Sequence, residues 1–600
     1  MGLMQKAVET YDNMRALVGV EVEGKAETLA PVGHLSTRAK IEITIDGDGK
    51  FVQARAVDQK IVIPVTEKSS GRTGQPVAHA LCEQLCYLLE GDTEKHDAYV
   101  RQLAAWVASE YTHPKLKAVL DYVRGGTMQT DLINAGLLKL DENGKLKNEK
   151  DMVCWVVIGL GVDSGPVWTD TRLQRLHGEY YQYYQQTREG NAKQLCMITG
   201  TDSIVAKQHL KGVVPLYGNA KIISANDDAN FTYRGRFETD SEAASIGYLA
   251  SQKAHNALKW LAANDGYTLG GQRVFVCWNP RGIEVPKPQS PLNKRSDVPL
   301  TPTAYRETLR RVATGYKATL PEREGVVLAS FDAATTGRLA VTYYNELRAS
   351  DFVDRLADWD AHCCWYDNRW GASTPLLINI VNYAFGTQRG SQENPRIEAD
   401  GRIVAQHMQR LLACRVDRAA FPQDIMRALA CKAGNLQIYT KSNRNQLLFA
   451  ACAVIRKYRW DHNKEELAMA LEPGKKDRSY QFGRWLAVME KIERDTYDAS
   501  EAREPNAIRL QSVFVQRPGY AAKIVMDQMK NAYYPRLNPG SRIFYDRLIG
   551  EIMEMLSQFP DSEYNKPLTE TYLPGYYLQK NALYARKENT NDMEDENHDA

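Results

Sequence analysis

The spacing of apolar residues changes kind partway along this 600-residue chain. Near the N-terminus, Ile41, Ile43 and Ile45 alternate with polar neighbours, the two-residue period of a half-buried strand. Asp46-Gly47-Asp48-Gly49 then turns the chain toward further strand-like runs at 51–57 and 60–65. From about residue 350 the spacing is helical: Phe482, Trp485, Leu486, Met489 and Ile492 recur at helical spacing, as do Phe544, Leu548, Ile552 and Phe559. The expected fold class is therefore α+β, a mixed β-containing N-terminal domain followed by an all-α C-terminal helical bundle.

The expected boundaries follow composition. Residues 1–280 form the α+β domain. Residues 281–325 are a proline-rich linker or excursion, and 326–468 hold a strand pair at 326–331 and 338–343, with Asp332 in its turn, and then helices. Residues 469–587 are the bundle, its short connections marked by Pro505, Pro518, Pro535, Pro539 and Pro567. The acidic stretch 588–600 has no apolar periodicity and reads as a disordered tail. Within the first domain, Pro76 is expected to open a helix at 77–90, and Ser241 to cap one running to about Ala262 with Ile246, Leu249, Ala250, Ala257 and Leu261 as its buried stripe. The strand candidate 152–158 runs into Gly159-Leu160-Gly161, but the third glycine, Gly165, comes one residue late and Pro166 follows, so a dinucleotide fold is set aside.

One stretch points to chemistry. In Lys207–Arg236 the cations Lys207, Lys211, Lys221, Arg234 and Arg236 stand against Asp227 and Asp228. Tyr217, Phe231 and Tyr233 are interleaved, together with Asn219, Asn226 and Asn230. Cations, planar rings and amides are what a protein uses to hold a phosphate backbone and touch base edges; the same composition also makes an ordinary polar loop. A second candidate loop, 67–76, offers Lys68, Arg72 and Gln75 beside Gly71 and Gly74 without the Walker spacing.

The net charge of +2 confines any nucleic-acid surface to such local patches. No run is long and apolar enough to span a membrane, the N-terminus lacks a signal-peptide core, and the ten cysteines contain no C-x-x-C pair. These features lead to the expectation of a cytoplasmic chain with buried reduced thiols and no metal or cofactor. No nucleophile-elbow or zincin motif occurs; Asp332, Asp367 and the His362–Cys363 neighbours are the isolated groups a catalytic reading would have to use.

Several ordered stretches together resemble a known family: KGVVPLYGNAKIISANDDANFTYRGR from Lys211, AASIGYLASQKAHNALKW from Ala243, FVCWNP from Phe275, YQFGRWLAVME from Tyr480, AIRLQ from Ala507, KNAYYPRLNPGSR from Lys530, and Asn565-Lys566-Pro567. They resemble the large subunit of the type I-C Cascade CRISPR surveillance complex, the Csd-one or Cas-eight-c family. The resemblance implies a non-catalytic prokaryotic DNA-recognition subunit. Its partners would be crRNA, double-stranded target DNA and the displaced strand, the backbone, handle-binding and small subunits, and a helicase–nuclease. It would read the protospacer-adjacent motif (PAM) on duplex DNA and stabilise the R-loop while the guide supplies most sequence information. On that reading the contacts to DNA come from Lys68, Arg72, Gln75, Lys207, Lys211, Asn219, Lys221, Asn226, Asn230, Tyr233, Arg234 and Arg236, with Tyr217 and Tyr233 either stacking on bases or packing beneath the loop. A track for single-stranded DNA would run over Arg484, Arg509, Arg517, Lys530, Arg536 and Arg542. The family also implies an internal start yielding a small subunit, at Met469 or Met489. The rival readings are a magnesium nuclease built on Asp332 or Asp367, and a purely structural scaffold.

Overall fold

The computed structural model describes residues 2–72, 76–139, 141–142, 146–187, 193–224, 236–293, 301–367, 371–391, 394–498 and 503–585. The chain divides into two units, one of Met1–Thr268, Gln272–Glu284 and Gly325–Leu347, the other of Leu269–Gly271, Val285–Glu324 and Arg348–Ala600.

Among the described residues the first unit contains two four-stranded sheets and a two-stranded ribbon. In the first, β1 (His34–Asp46) pairs antiparallel with β2 (Phe51–Pro64) and parallel with β3 (Val153–Ile158), to which β4 (Gly165–Pro166) adds an antiparallel edge. The alternating isoleucines of β1 are fully buried, as the two-residue period requires. The expected turn forms: Asp46 Oδ1 accepts from Asp48 N at 3.0 Å and from Lys50 N at 2.8 Å, and Gly49 takes φ +78°. The helices Thr93–Val107 and Pro114–Arg124 cover this sheet with Tyr99, Leu103, Trp106, Leu116 and Val119.

Two short strands, β5 (Lys193–Leu195) and β6 (Asp202–Ile204), form a small ribbon. The second sheet is ordered β10 (Arg338–Arg348), β9 (Gly325–Thr335), β8 (Arg273–Trp278), β7 (Tyr267–Leu269). Helices Leu3–Asn13 and Tyr248–Asn264 share its core with Val213, Val214 and Ala220, and Trp278 Nε1 donates to Thr10 Oγ1 at 2.9 Å.

Several expectations need correction. The strand pair near 326–343 belongs to the first unit, because β9 pairs with β8 in register Val276↔Ala329 and Trp278↔Val327. Asp332 lies within β9, not in a turn, and is held by Arg273 at 2.7 Å. The segment after Pro76 is not a helix until Leu85–Leu88. Its backbone is instead satisfied by side chains: Glu83 accepts from His79 N and Gln84 N, and Leu81 O accepts from Tyr99 Oη and Trp155 Nε1. The helix expected from Ser241 is two, Asp240–Ala244 capped by Thr239 and Tyr248–Asn264, and Leu249 is 40% exposed rather than buried.

The second unit is almost wholly helical. The proline-rich stretch is no free linker. Thr301 caps a helix with Pro302 at its first position, Pro302–Thr319. Upstream, a buried Arg415–Asp360 ion pair at 2.8 Å binds Pro288 O, Ser290 O and Leu292 N. In the bundle, helix Arg478–Arg494 is buried on every side over Ser479–Glu490 and crosses helix Tyr572–Tyr584 at contact distance. A Cβ on Gly483 would stand 2.0 Å from Tyr572 O, and one on Gly575 2.2 Å from Tyr480 O, so the crossing requires glycine on both helices. Tail residues 588–600 lie outside the described residues.

Candidate nucleic-acid interface

The two candidate loops of the first unit, far apart in sequence, meet in space. Thr66 and Ser69 cap one another: Ser69 N donates to Thr66 Oγ1 at 3.1 Å and Thr66 N to Ser69 Oγ at 2.9 Å. That turn sets the Glu67 carboxylate against the start of the Lys207–Arg236 stretch, where Oε1 accepts from Lys207 N at 3.0 Å and Gln208 N at 3.5 Å. Burial pushes the Glu67 carboxyl up, and the backbone N–H groups of Gln208 and Lys207 oppose that shift. Gly71 closes the seam, since a Cβ there would lie 2.6 Å from Gln208 Oε1.

From this seam the chain runs into a compact loop at 211–221. Lys211 and Lys221 bridge antiparallel, Gly212 N donates to Ala220 O at 2.9 Å, and Gly212 sits at φ +68° where a Cβ would strike Gly218 O at 2.8 Å. Buried Val213, Val214 and Ala220 root the loop in the core. Lys221 N donates to Gly337 O and Leu339 N to Lys221 O, which ties the loop to β10. The result is a rigid platform: Lys68, Lys207, Lys211 and Asn219 are exposed on it, and Lys221 is half-buried. Burial, then Lys211, pulls the Lys221 ammonium pKa down. Arg236 is exposed with its guanidinium 5.4 Å from the Phe237 ring centre. Lys68, Lys207, Lys211 and Arg236 have no ion-pair partner among the described residues.

Two cations leave the set. Arg72 forks onto the fully buried Glu83 at 2.5 and 2.9 Å, donates to Val77 O at 2.9 Å and stacks on Tyr87 at 4.5 Å. It is spent on holding the 76–84 segment. Arg484 is 1% exposed and donates to Gln579 Oε1, Pro473 O and Gln481 Oε1, each at 2.9 Å, inside the bundle. Tyr217 packs against the core and donates to Gln272 O, so it underlies the loop rather than presenting a ring. Gln75, Asn226, Asn230, Tyr233 and Arg234 lie outside the described residues.

In the second unit Arg509, Arg517, Lys530 and Arg536 are exposed and without an ion-pair partner among the described residues, whereas Arg542 is half-buried and donates to Pro535 O at 2.6 Å. Asp367 is fully buried and accepts from Tyr577 Oη. Burial pushes the Cys363 thiol up, away from a nucleophilic thiolate. Among the described residues no group of three or more His, Cys, Asp or Glu is placed to hold a metal ion, and no helix is long and apolar enough to cross a membrane.

Sequence reasoning missed what lies beneath the platform. His255 and Lys259, on helix Tyr248–Asn264, line a cavity of about 260 Å³ together with Lys211 and Glu27. Only a helical-wheel reading of that helix against the 207–221 loop would have drawn them in, and periodicity alone marks His255 as core.

Among the curated proteins no relative matches this chain. Residues 8–584, nearly its whole length, match the model of a family described as CRISPR-associated protein (Cas_Csd1). The chain therefore belongs to the Csd1 family of CRISPR-associated proteins, that of the type I-C Cascade large subunit.

Proposed function

We propose that this chain recognises a short motif on double-stranded DNA within a crRNA-guided Cascade complex, helps open the duplex, steadies the displaced strand and docks the helicase–nuclease, without catalysis of its own. The observation that carries the reading is the Glu67 clasp, which fixes two basic loops side by side and leaves Lys68, Lys207 and Lys211 exposed without an ion-pair partner among the described residues. A rigid backbone bearing unpaired cations suits phosphate positioning, which sets register before any base edge is read. Arg509, Arg517, Lys530 and Arg536, without an ion-pair partner among the described residues, supply a separate cationic surface suited to a single strand. Neither acid of the nuclease alternative is free: Asp332 is ion-paired with Arg273, and Asp367 is buried against Tyr577.

The test is binding of the reconstituted guide-loaded complex to target duplexes that carry or lack the motif. Lys211→Ala with Lys221→Ala is expected to weaken capture of motif-bearing duplexes, and Glu67→Ala to do the same by uncoupling the loops. Unchanged capture by both the double variant and Glu67→Ala would reject the site. Magnesium-dependent cleavage by the purified chain that disappears in Asp332→Ala would reject the non-catalytic assignment.

A further inference from the structure

The cavity under the platform has a chemistry of its own. Its volume of about 260 Å³ falls just below the range of drug-sized sites, about 300–1,000 Å³. It therefore suits one ring system rather than a base pair. Leu35 and Leu210 give it apolar walls, while Lys211 and Lys259 supply cations.

Beside these donors the lining includes two acceptors, His255 and Glu27. His255 is 1% exposed, and burial holds its imidazole at about 4, so it is neutral near pH 7. Its Nδ1 lies 2.7 Å from Ser251 O, an acceptor, so Nδ1 carries the proton and Nε2 carries the lone pair. Among the described residues that Nε2 is buried without a hydrogen-bond partner. The other acceptor is Glu27, 9% exposed, whose carboxylate is bound by Lys60 from β2 at 2.6 Å and approached by Lys259 at 3.8 Å. Lys60, Lys211 and Lys259 thus outnumber the one carboxylate, and Lys221 adds to the same field. An occupant that fits brings a planar body, an N–H donor at its edge and a negative charge outside the ring. A nucleotide within a strand meets all three conditions.

We propose that this cavity receives one nucleobase of a DNA strand, turned out of its stack, with an amino group of the base donating to His255 Nε2 and the adjoining phosphate lying against Lys211 and Lys259. The proposal rests on the DNA-binding reading above and adds to it a place where a single base is held after the duplex opens. Cytosine, adenine and guanine carry an exocyclic amino group, whereas thymine offers only its N3–H between two carbonyl oxygens, so the pocket favours the amino-bearing bases over thymine.

The experiment uses the full chain and fluorescently labelled single-stranded dodecamers of deoxycytidine, of thymidine, and of abasic tetrahydrofuran units, read by anisotropy. The deoxycytidine strand is expected to bind about fivefold to tenfold tighter than the abasic strand, the worth of one buried hydrogen bond with its stacking walls, with thymidine between them. His255→Ala should erase the margin of deoxycytidine over thymidine, whereas Lys211→Ala should weaken all three strands together. Should His255→Ala fail to fold, as judged by its melting curve, Ser36→Phe fills the cavity from β1 and is expected to erase the same margin. Equal binding of deoxycytidine and abasic strands, or a margin that survives in the folded variants, would overturn the pocket and leave the DNA reading standing. Binding to none of the strands would overturn that reading as well. Free deoxycytidine monophosphate competing as tightly as the dodecamer would overturn the assignment to a strand.

Discussion

Replacing Lys207, Lys211 and Arg236 together by alanine tests the platform with a number attached. All three are exposed and lack an ion-pair partner among the described residues, and the Glu67 carboxylate, which feels the charge of Lys207, keeps its backbone N–H donors when they are removed. Each lysine or arginine that neutralises a phosphate of B-form DNA contributes about 0.9 to the slope of log affinity against log salt. Three such contacts account for a slope of about 2.7, or roughly a 40-fold difference between 50 and 200 mM salt. Measured by anisotropy on a fixed duplex, the triple variant should therefore lose affinity at low salt and flatten the salt dependence by that amount. Arg72→Ala and Arg484→Ala, each compared at equal concentration of folded protein, serve as controls. Both remove a cation that sequence composition places in the same class, yet both guanidinium groups are engaged inside the protein. The reasoning fails if the triple variant keeps the wild-type slope, or if either control lowers it by about one contact.

The same Arg72→Ala variant should be costly to the fold, because it strands the fully buried Glu83 carboxylate; a loss of about 3–5 kcal/mol by chemical denaturation is expected, and an unchanged midpoint would contradict the pairing. Gly483→Ala puts a methyl group 2.0 Å from Tyr572 O and should destabilise the bundle by about 1–3 kcal/mol or more, while Gly550→Ala, with nothing within 4 Å, should be neutral or stabilising by up to about 1 kcal/mol; thermal melting of the two separates them. Lys580 and Arg494 hold the buried Glu490 carboxyl at about 2 against the opposing effect of burial. Its contribution is therefore present above the unfolded value near 4.5 and is lost as pH falls from there toward 2, so Glu490→Gln should flatten the acid limb of the stability–pH curve. The buried imidazoles His34 and His79, each lowered to about 4 by burial, act in the same direction over a higher window: stability is complete above about 6.5 and declines as pH falls toward 4, and His34→Gln should shift that part of the curve.

Much of the architecture was legible because periodicity reports burial. Ile41, Ile43 and Ile45 defined β1 and its inward face, and Asp46–Gly49 defined the turn, since both depend on neighbours in sequence. Helix Arg478–Arg494 was legible for the same reason, whereas of the repeat Phe544, Leu548, Ile552 and Phe559 only Ile552 is fully buried: Phe544 is exposed and Phe559 lies past the end of helix Pro539–Leu556. What remained hidden depends on contacts between distant residues. Arg72 looks free until Glu83 is seen to be fully buried beside it, and no local pattern states that the intervening segment folds as a buried loop. Arg484 lies off the apolar stripe of its helix, but that helix is buried on all sides, so its polar face is interior too. The strand pair near 326–343 returns to the first unit across a long helical excursion, which composition reads as a boundary. At the candidate site the basic loops were visible and their union was not, because it turns on Glu67, an acidic residue that a search for DNA contacts passes over.

The close crossing of Arg478–Arg494 and Tyr572–Tyr584 has a bearing on how the molecule is made. The central helix carries side chains suited to enclosure over nearly its full circumference, yet one of the walls that encloses it is synthesised close to a hundred positions later. During translation that helix waits with Tyr480, Gly483 and Tyr576's future berth open to water, and a nascent chain released before Tyr572 would present a sticky seam to chaperones and to other chains. Yield from cells should thus fall abruptly, not gradually, as premature stops move upstream past this point.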